Sequence, residues 1–560
     1  MNQPDLADAS SSTTSKPKKQ RGIWWVIKWS SIVFFMLIIL IVLLNVRLGP
    51  GKNSPLVRVS PQTTFATSPL KPNGDVDYLA YINQLHYVPP DQNAMVDLIR
   101  IMGPDPEGYM LSPEFFRLMG IAPLPGNGNY IECIDTMLDP VRKKKNISAT
   151  IDDVTLDKDQ IFWLVEGVPF RTGQFPVVDE WFESNEHHLM ALRDAVQKPQ
   201  YYGPYGGDSL SNALLTHVWP MRSLAQSLCA SSMKRLGDGD VSGAIEDQLA
   251  MLRLGRLVRS KGTFIEMLVG NAIEGMGLDA IAQTIHSGKC SKEDLQHLAF
   301  ELDSLPPVPL IGKQNLTSER AMGLECTIHS GRNGPAPWNS HSDYHEREYS
   351  NKKPVFPDGL IRSAVNWEVA CIVLNEVYDR LESIGESGDI LEQAAMLRDF
   401  DKELETIETE SYDSTNMLKA MLGGRTTRGR FFGQKMVGRV LPMARQVFEG
   451  CHRTTASFAM MRTGVALELF RLEYGEYPKE LKQLNPEFLA VIPLDPYSGQ
   501  SFVYHPEQGD PYELYSVGPN GKDDGGVRME GVPYRECDFV AVPKIRTIQQ
   551  MLKSFEEENN

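Results

Sequence analysis

No Gly-x-Ser-x-Gly nucleophile elbow, no Gly-x4-Gly-Lys-Ser/Thr phosphate loop and no Gly-x-Gly-x-x-Gly after a strand occurs in the 560 residues. The common serine-hydrolase, nucleotide-hydrolysing and dinucleotide-binding classes are thereby excluded, and no stretch assembles a catalytic constellation. Cysteine is sparse: seven are scattered at Cys133, Cys229, Cys290, Cys326, Cys371, Cys451 and Cys537, with no Cys-x-x-Cys or zinc-type spacing. Their number is odd and most lie in apolar helical contexts. Buried thiols are expected, with room for one disulfide in an oxidising compartment. Basic residues are in deficit, 56 against 72 acidic, for a net charge of −16. Residues 1–47 carry +4 of that balance, which leaves −20 on the remainder. So acidic a body is not drawn to nucleic acid by its general field.

Long hydrophobic runs are also scarce, and the exception lies near the N-terminus. Residues 1–22 are Ser/Thr-rich and then basic, which predicts a disordered cytoplasmic tail. Trp24 to Val46 follows, 23 residues with an apolar stretch from Ile32 to Leu44. That length crosses a hydrocarbon layer of roughly 30 Å. Three tryptophans suit the interface, and Lys28 can extend towards the headgroups. No small-residue cleavage site follows, so the segment reads as a signal anchor rather than a cleaved leader. The bias of basic residues places the N-terminus in the cytoplasm and the rest beyond the inner membrane.

The chain then divides by composition. Residues 48–75 are a Pro/Ser/Thr-rich stalk, and 76–176 are mixed, with short strands expected at Ile151–Leu156 and Ile161–Val165. Residues 177–435 form a helical ectodomain interrupted by a long polar loop at 306–357, a length that often marks a binding segment. Leu224, Leu228 and Leu236 share one helix face, and Ile245, Leu249 and Leu252 the next. The turn Gly237-Asp238-Gly239-Asp240 before Ala244 is similar to that of tetratricopeptide hairpins, without a strict 34-residue period. Gly270, Gly275 and Gly277 permit close helix contact, and Gly423 to Gly433 reads as a flexible basic turn. The fold class is mainly α, with a transmembrane helix, an irregular tetratricopeptide-like hairpin ectodomain and a small α+β C-terminal domain. The C-terminal domain occupies 436–545, followed by a polar tail at 546–560.

Residues 456–526 are the most informative. Phe458, Met461, Val465, Leu469 and Leu472 make one apolar helix face, with Arg462, Glu468, Arg471 and Glu473 on the wetter side. Gly475 and Pro478 end the helix. Turns at Pro493, Asp495-Pro496 and Ser498-Gly499 precede strands at Phe502–Tyr504 and Tyr512–Val517, and Asp538–Val542 supplies a third. The phrase Phe470-Arg471-Leu472-Glu473-Tyr474-Gly475-Glu476-Tyr477-Pro478 resembles the end of the long helix in the major pseudopilin of type II secretion systems. Pro493, Asp495, Pro496, Gly499 and Tyr504 match that family's following turn, and Tyr515, Ser516, Gly518, Asn520 and Gly521 its strand and loop. The family's basic leader and Gly-Phe-Thr-Leu-x-Glu cleavage site have no counterpart here. The resemblance implies the fold, not polymerisation into a pseudopilus. Gly237-Asp238, Ala244 to Asp247 and Glu319-Arg320, with the C-terminal phrase, also resemble membrane-anchored proteins of planctomycete-type bacteria, a resemblance that brings no activity with it.

The pseudopilin resemblance implies calcium at the Gly/Asn/Asp loop that starts at Val517. By position the ligands are the Val517 carbonyl and Asn520, followed by Asp523, Asp524 and Asp538. Asn520 stands where the family has Asp, which removes a charge. Other metal-like spacings are weaker. His341-Ser342-Asp343-Tyr344-His345 lacks the glutamate of a zincin, and Glu186-His187-His188 reads as helix surface. Asp238, Asp240 and Ser242 begin like an EF-hand but meet Leu249 at its twelfth position, so a capped turn explains them better. Glu319-Arg320 suits a buried ion pair. The expected function is a membrane-anchored envelope scaffold linked to other envelope proteins or to secretion components. The alternative is an extracytoplasmic metal-dependent hydrolase with its site in the helical ectodomain.

Overall fold

Helix-capping residues recur along the middle of the chain, and the computed structural model is built mainly of the helices that they start. It describes Trp25 and residues 28–36, 53–138, 149–151, 154–210, 215–306, 311–333, 363–387, 390–506, 512–526, 538–540 and 547–558. The principal elements begin with α1 (Tyr78–His86), α2 (Ala94–Met102), a hairpin of β1 (Ala149–Ile151) and β2 (Val154–Leu156), α3 (Lys158–Gly167) and α4 (Pro176–Ala195). Next come α5 (Trp219–Asp238), α6 (Val241–Arg259), α7 (Phe264–His286), α8 (Lys292–Ser304), α9 (Lys313–Asn333), α10 (Trp367–Gly385) and α11 (Ile390–Tyr412). The chain closes with α12 (Arg425–Tyr474), the strands β3 (Val503–His505), β4 (Glu513–Ser516) and β5 (Phe539–Val540), and α13 (Ile548–Glu558).

Local chemistry explains the boundaries. Asp240 accepts from the Gly243 amide at 2.9 Å and starts α6, which makes the Asp238–Ser242 stretch a capped turn. Thr263 with Glu266 and Ser291 with Asp294 form capping boxes at α7 and α8. Gly239 and Gly475 close α5 and α12 in the left-handed conformation. Residues Ile161–Val165 are helix, not strand. The box between Asp157 and Gln160 starts α3, and Ile161, Leu164 and Val165 then turn inward together.

Two further expectations fail for reasons of burial. The loop expected at 306–357 contains the 21-residue helix α9. Ser318, Glu319, Arg320 and Thr327 are buried along with Leu316 and Leu324, so no polar face marks the helix. Most of the stretch Gly423 to Gly433 is helix rather than turn: α12 starts at Arg425, and only Gly423 and Gly424 remain as the junction before it. A Cβ on Gly429 would stand 2.4 Å from the Asn366 carbonyl oxygen, and one on Gly433 2.8 Å from Val373 Cβ. These glycines let α12 lie against α10. Gly255 and Gly270 do the same where α6 crosses α7, each ideal Cβ falling within 2.8 Å of the other's carbonyl oxygen.

Helix α12 serves three cores, and in the first Val437, Val447 and Phe448 pack with Leu374 and Tyr378 of α10. Met461, Val465 and Leu469 pack with Leu278, Ile281, Leu295 and Leu298 of the helical array. Ala456, Met460, Ala466 and Leu467 pack with Leu484, Phe502, Tyr512 and Leu514 of the C-terminal domain. The wetter side is accordingly narrower than expected. Glu468 is buried, accepts from the Tyr477 hydroxyl at 2.7 Å and pairs with Arg471 at 2.9 Å. The sheet order is β3-β4-β5, antiparallel throughout, with Val503 opposite Tyr515 and Ser516 opposite Phe539. Asp495 locks the preceding turn to it by accepting from the Ser516 hydroxyl and the Val517 amide. Met551 and Leu552 of α13 join the core around α3 to α5.

Among the described residues six cysteines stand outside any disulfide, five of them buried, and Cys537 lies outside the described residues. Among the described residues no helix is long and apolar enough to cross a membrane. The predicted crossing at 24–46 lies mostly outside them. Its described part, 28–36, is helical, and Trp29 and Ile32 to Met36 are exposed.

Candidate functional site

The loop after β4 gathers part of the calcium set. Val517 is held through its amide, which donates to Asp495 Oδ2 at 3.0 Å. Asp538, 3% exposed, stands beside it, and its Oδ2 accepts from the amides of Asp524 and Gly526, each at 2.8 Å. Its other oxygen, Oδ1, is buried and makes no hydrogen bond among the described residues. Burial, together with the charges of Asp524 and Asp523, raises the Asp538 pKa, while the two amides act against that rise. Asn520 donates to Asp524 Oδ2 at 2.9 Å, and its own carbonyl accepts from the Lys522 amide. Asp523 is drawn to Tyr515, whose hydroxyl donates to it at 2.9 Å. Asp524 and Asp538 thus fit a hard cation best, and the orphaned oxygen of Asp538 is the atom such an ion would satisfy. Val517 and Asn520 line the loop, and Asp523 is committed elsewhere. Among the described residues no three His, Cys, Asp or Glu side chains converge as a metal cage.

The other sequence candidates separate. His341, Asp343 and His345 lie outside the described residues. Glu186 and His187 are on the surface, but His188 turns into the core, where burial lowers its pKa. Glu319 and Arg320 do not pair with each other. Neighbours on a helix point in different directions, and Arg320 pairs with Asp379 at 2.5 Å while Glu319 faces α7.

A polar centre that the sequence reading missed surrounds Glu266. The first turn of α7 presents its amides, and Glu319 of α9 accepts from the Phe264 amide at 2.6 Å. Glu266 accepts from the Thr263 amide at 2.7 Å and from the Tyr205 hydroxyl at 2.5 Å, and its other oxygen lies 3.4 Å from His217 Nε2. Two buried carboxylates at a helix N-terminus are stabilised by its dipole. They also repel: burial first, then Glu266, pushes the Glu319 pKa up to about 7. His86 bonds to Ser318 at 2.7 Å, and burial lowers its pKa to about 4. A cleft of about 570 Å³ opens above, walled by Asp77, Tyr87, Arg117 and Tyr202, with Asn83 and Tyr205 at its floor. Asn83 fixes that floor by bonding both the amide and the carbonyl of Tyr205. No sequence spacing links these groups, because Tyr205 and His217 stand 61 and 49 residues before Glu266.

Comparison of the chain with protein-family models, with curated proteins and with solved structures gives no match.

Proposed function

We propose that the chain is a single-pass scaffold or interaction protein of the bacterial envelope. Its N-terminus lies in the cytoplasm and its helical, tetratricopeptide-like array and pseudopilin-like domain lie outside. The observation that carries this reading is the helical stretch 28–36. Five consecutive residues, Ile32 to Met36, take directions all round the helix, and each is at least 41% exposed. An apolar helix bare on every side requires an apolar surrounding, and a bilayer supplies it. Its partners are other envelope proteins, with secretion or pilus-type assemblies the class that the C-terminal domain suggests. The test is alkaline carbonate extraction of cell membranes, with protease added to spheroplasts. The chain is expected to stay with the membrane and to lose its ectodomain to protease. Release by carbonate, or full protection, rejects the reading.

Calcium at the C-terminal loop belongs to this proposal, held by Asp524 and Asp538 with Val517 and Asn520 adjoining. Thermal melting of the full chain with calcium, and then with chelator, is expected to show a higher midpoint with the ion. The shift should vanish in Asp538→Asn, and equal midpoints in the native chain remove the ion from the account.

A second reading, an extracytoplasmic hydrolase, draws on the Tyr205, Glu266 and His217 set beneath the cleft. It predicts turnover on a panel of ester and peptide substrates that Glu266→Gln abolishes while the fold persists. Turnover unaffected by that change, or none at all, removes it.

A further inference from the structure

Between Ser414 and Lys435 the chain carries five basic residues and no acidic one, in a body whose balance beyond residue 47 is −20. The stretch holds a short helix, Ser414–Leu422, the junction Gly423-Gly424 and the start of α12. The apolar side chains of that helix do not all turn inward. Met417, Leu418 and Leu422 are 50%, 55% and 69% exposed. They fall within an arc of about 140° on one side of the helix, and Ala420 is buried on the other. Lys419 of the same helix and Arg430 of α12 are exposed. Glu405, Glu410 and Asp413 precede the helix, which confines the basic face to its C-terminal half and the start of α12. Asp413 serves as its cap and accepts from the Thr415 amide at 2.9 Å.

The chain enters the body at this same end. Arg332 donates to the Ser54 carbonyl at 2.8 Å. Leu56 and Trp367 close over Gly331, where an ideal Cβ would stand 2.4 Å from the one and 2.8 Å from the other. The Trp367 ring lies 5.5 Å from that of Phe432, and the Asn366 amide donates to the Arg425 carbonyl at 3.1 Å. The start of α12 is thus one side chain away from residue 56. Only Arg47 to Lys52 separate the proposed crossing at 24–46 from Asn53, and six residues reach at most about 20 Å. The entering chain therefore holds this end of the molecule close to the bilayer surface. An exposed apolar helix side flanked by cations suits the boundary between headgroups and acyl chains.

We propose that the helix Ser414–Leu422 and the start of α12 rest on the outer face of the membrane that anchors the chain. Met417, Leu418 and Leu422 enter the acyl boundary, and Lys419 and Arg430 meet the phosphates of anionic lipids. The inference rests on the crossing at 24–46. It turns a single tether into a two-point attachment, which fixes the tilt of the body over the bilayer.

The test is hydrogen–deuterium exchange of the full chain in nanodiscs of phosphatidylcholine, and of an equal mixture of phosphatidylcholine and phosphatidylglycerol. Amides of residues 414–431 are expected to exchange about tenfold more slowly in the mixed discs. High salt should shrink the difference. Leu418→Asp, at an exposed position, is expected to abolish it and Lys419→Gln to reduce it, with exchange elsewhere unchanged. Equal exchange in the two lipids leaves the face to a protein partner and overturns the proposal. Slowing that grows with protein concentration marks a second copy and also overturns it, as does slowing that Leu418→Asp leaves intact. A chain that does not elute with the discs removes the crossing at 24–46 and this proposal with it, whereas equal exchange in a chain that does elute with them removes this proposal alone.

Discussion

Glu319 is a carboxyl group enclosed among helices, with its pKa pushed up to about 7. Below pH 4.5 it is protonated in both the folded and the unfolded chain and has no effect on stability. As pH rises from 4.5 to 7 the unfolded chain ionises first, so stability falls. Above pH 7 the penalty is complete, on the order of 3 kcal/mol. Glu319→Gln keeps an acceptor for the Phe264 amide and removes the ionisation. The variant should match the native chain near pH 4 and melt at higher temperature above pH 7. Parallel melting curves across that range would show that Glu319 does not titrate this way. His86 also alters stability at acid pH, but equally in both chains. None of this was legible in the sequence. Glu319-Arg320 reads as an adjacent pair, and only the fold shows that each residue has a separate partner. Asp538, 14 residues beyond Asp524, was legible because a family pattern pointed to it, whereas the bonds that occupy Asp523 depend on the position of Tyr515.

Helices were readable where apolar spacing and capping residues coincide, even where most of the helix is buried, as in α5 to α7. The hairpins α5 to α8 and the end of α12 at Gly475 follow the apolar spacing and the capping residues. Helix α9 escaped because few of the residues it buries are apolar, with Ser318, Glu319, Arg320 and Thr327 carried inward. The start of α12 escaped because glycine counts against a helix until a neighbour is seen to need the space. That contact is testable. Gly→Ala within an exposed helix adds about 1 kcal/mol of stability. At Gly275, with nothing within 4 Å of its ideal Cβ, Ala should give a gain of that sign. At Gly429 the added methyl meets backbone 2.4 Å away, and overpacking of about 1–3 kcal/mol should prevail. Urea midpoints of the two variants should therefore move in opposite directions. A gain at both positions would mean that α10 and α12 are not in contact.

For the whole molecule, the division into a helical ectodomain and a separate C-terminal domain is too clean. The apolar positions near the end of α12 were legible, but not that the helix serves three different cores, because a single sequence marks which residues are buried and not against what. A fragment of residues 425–558 leaves Met461, Val465 and Leu469 without their neighbours from α7 and α8. In sedimentation it should self-associate, and co-expression with residues 1–424 should restore a soluble pair. A monomeric, cooperatively folded fragment would restore the two-domain view. The same helix has a bearing on synthesis. Its 50 residues span about 75 Å as a straight helix, and they leave the ribosome after α10 and α11, whose partners Val437, Val447 and Phe448 it carries. Until that late segment arrives, Cys371, Leu374 and Tyr378 have no complete shelter, and the chain stays open for the time needed to translate it. A polypeptide that cannot close early depends on the slowest part of its own synthesis, so the order of the cores along the chain sets the moment at which it can fold.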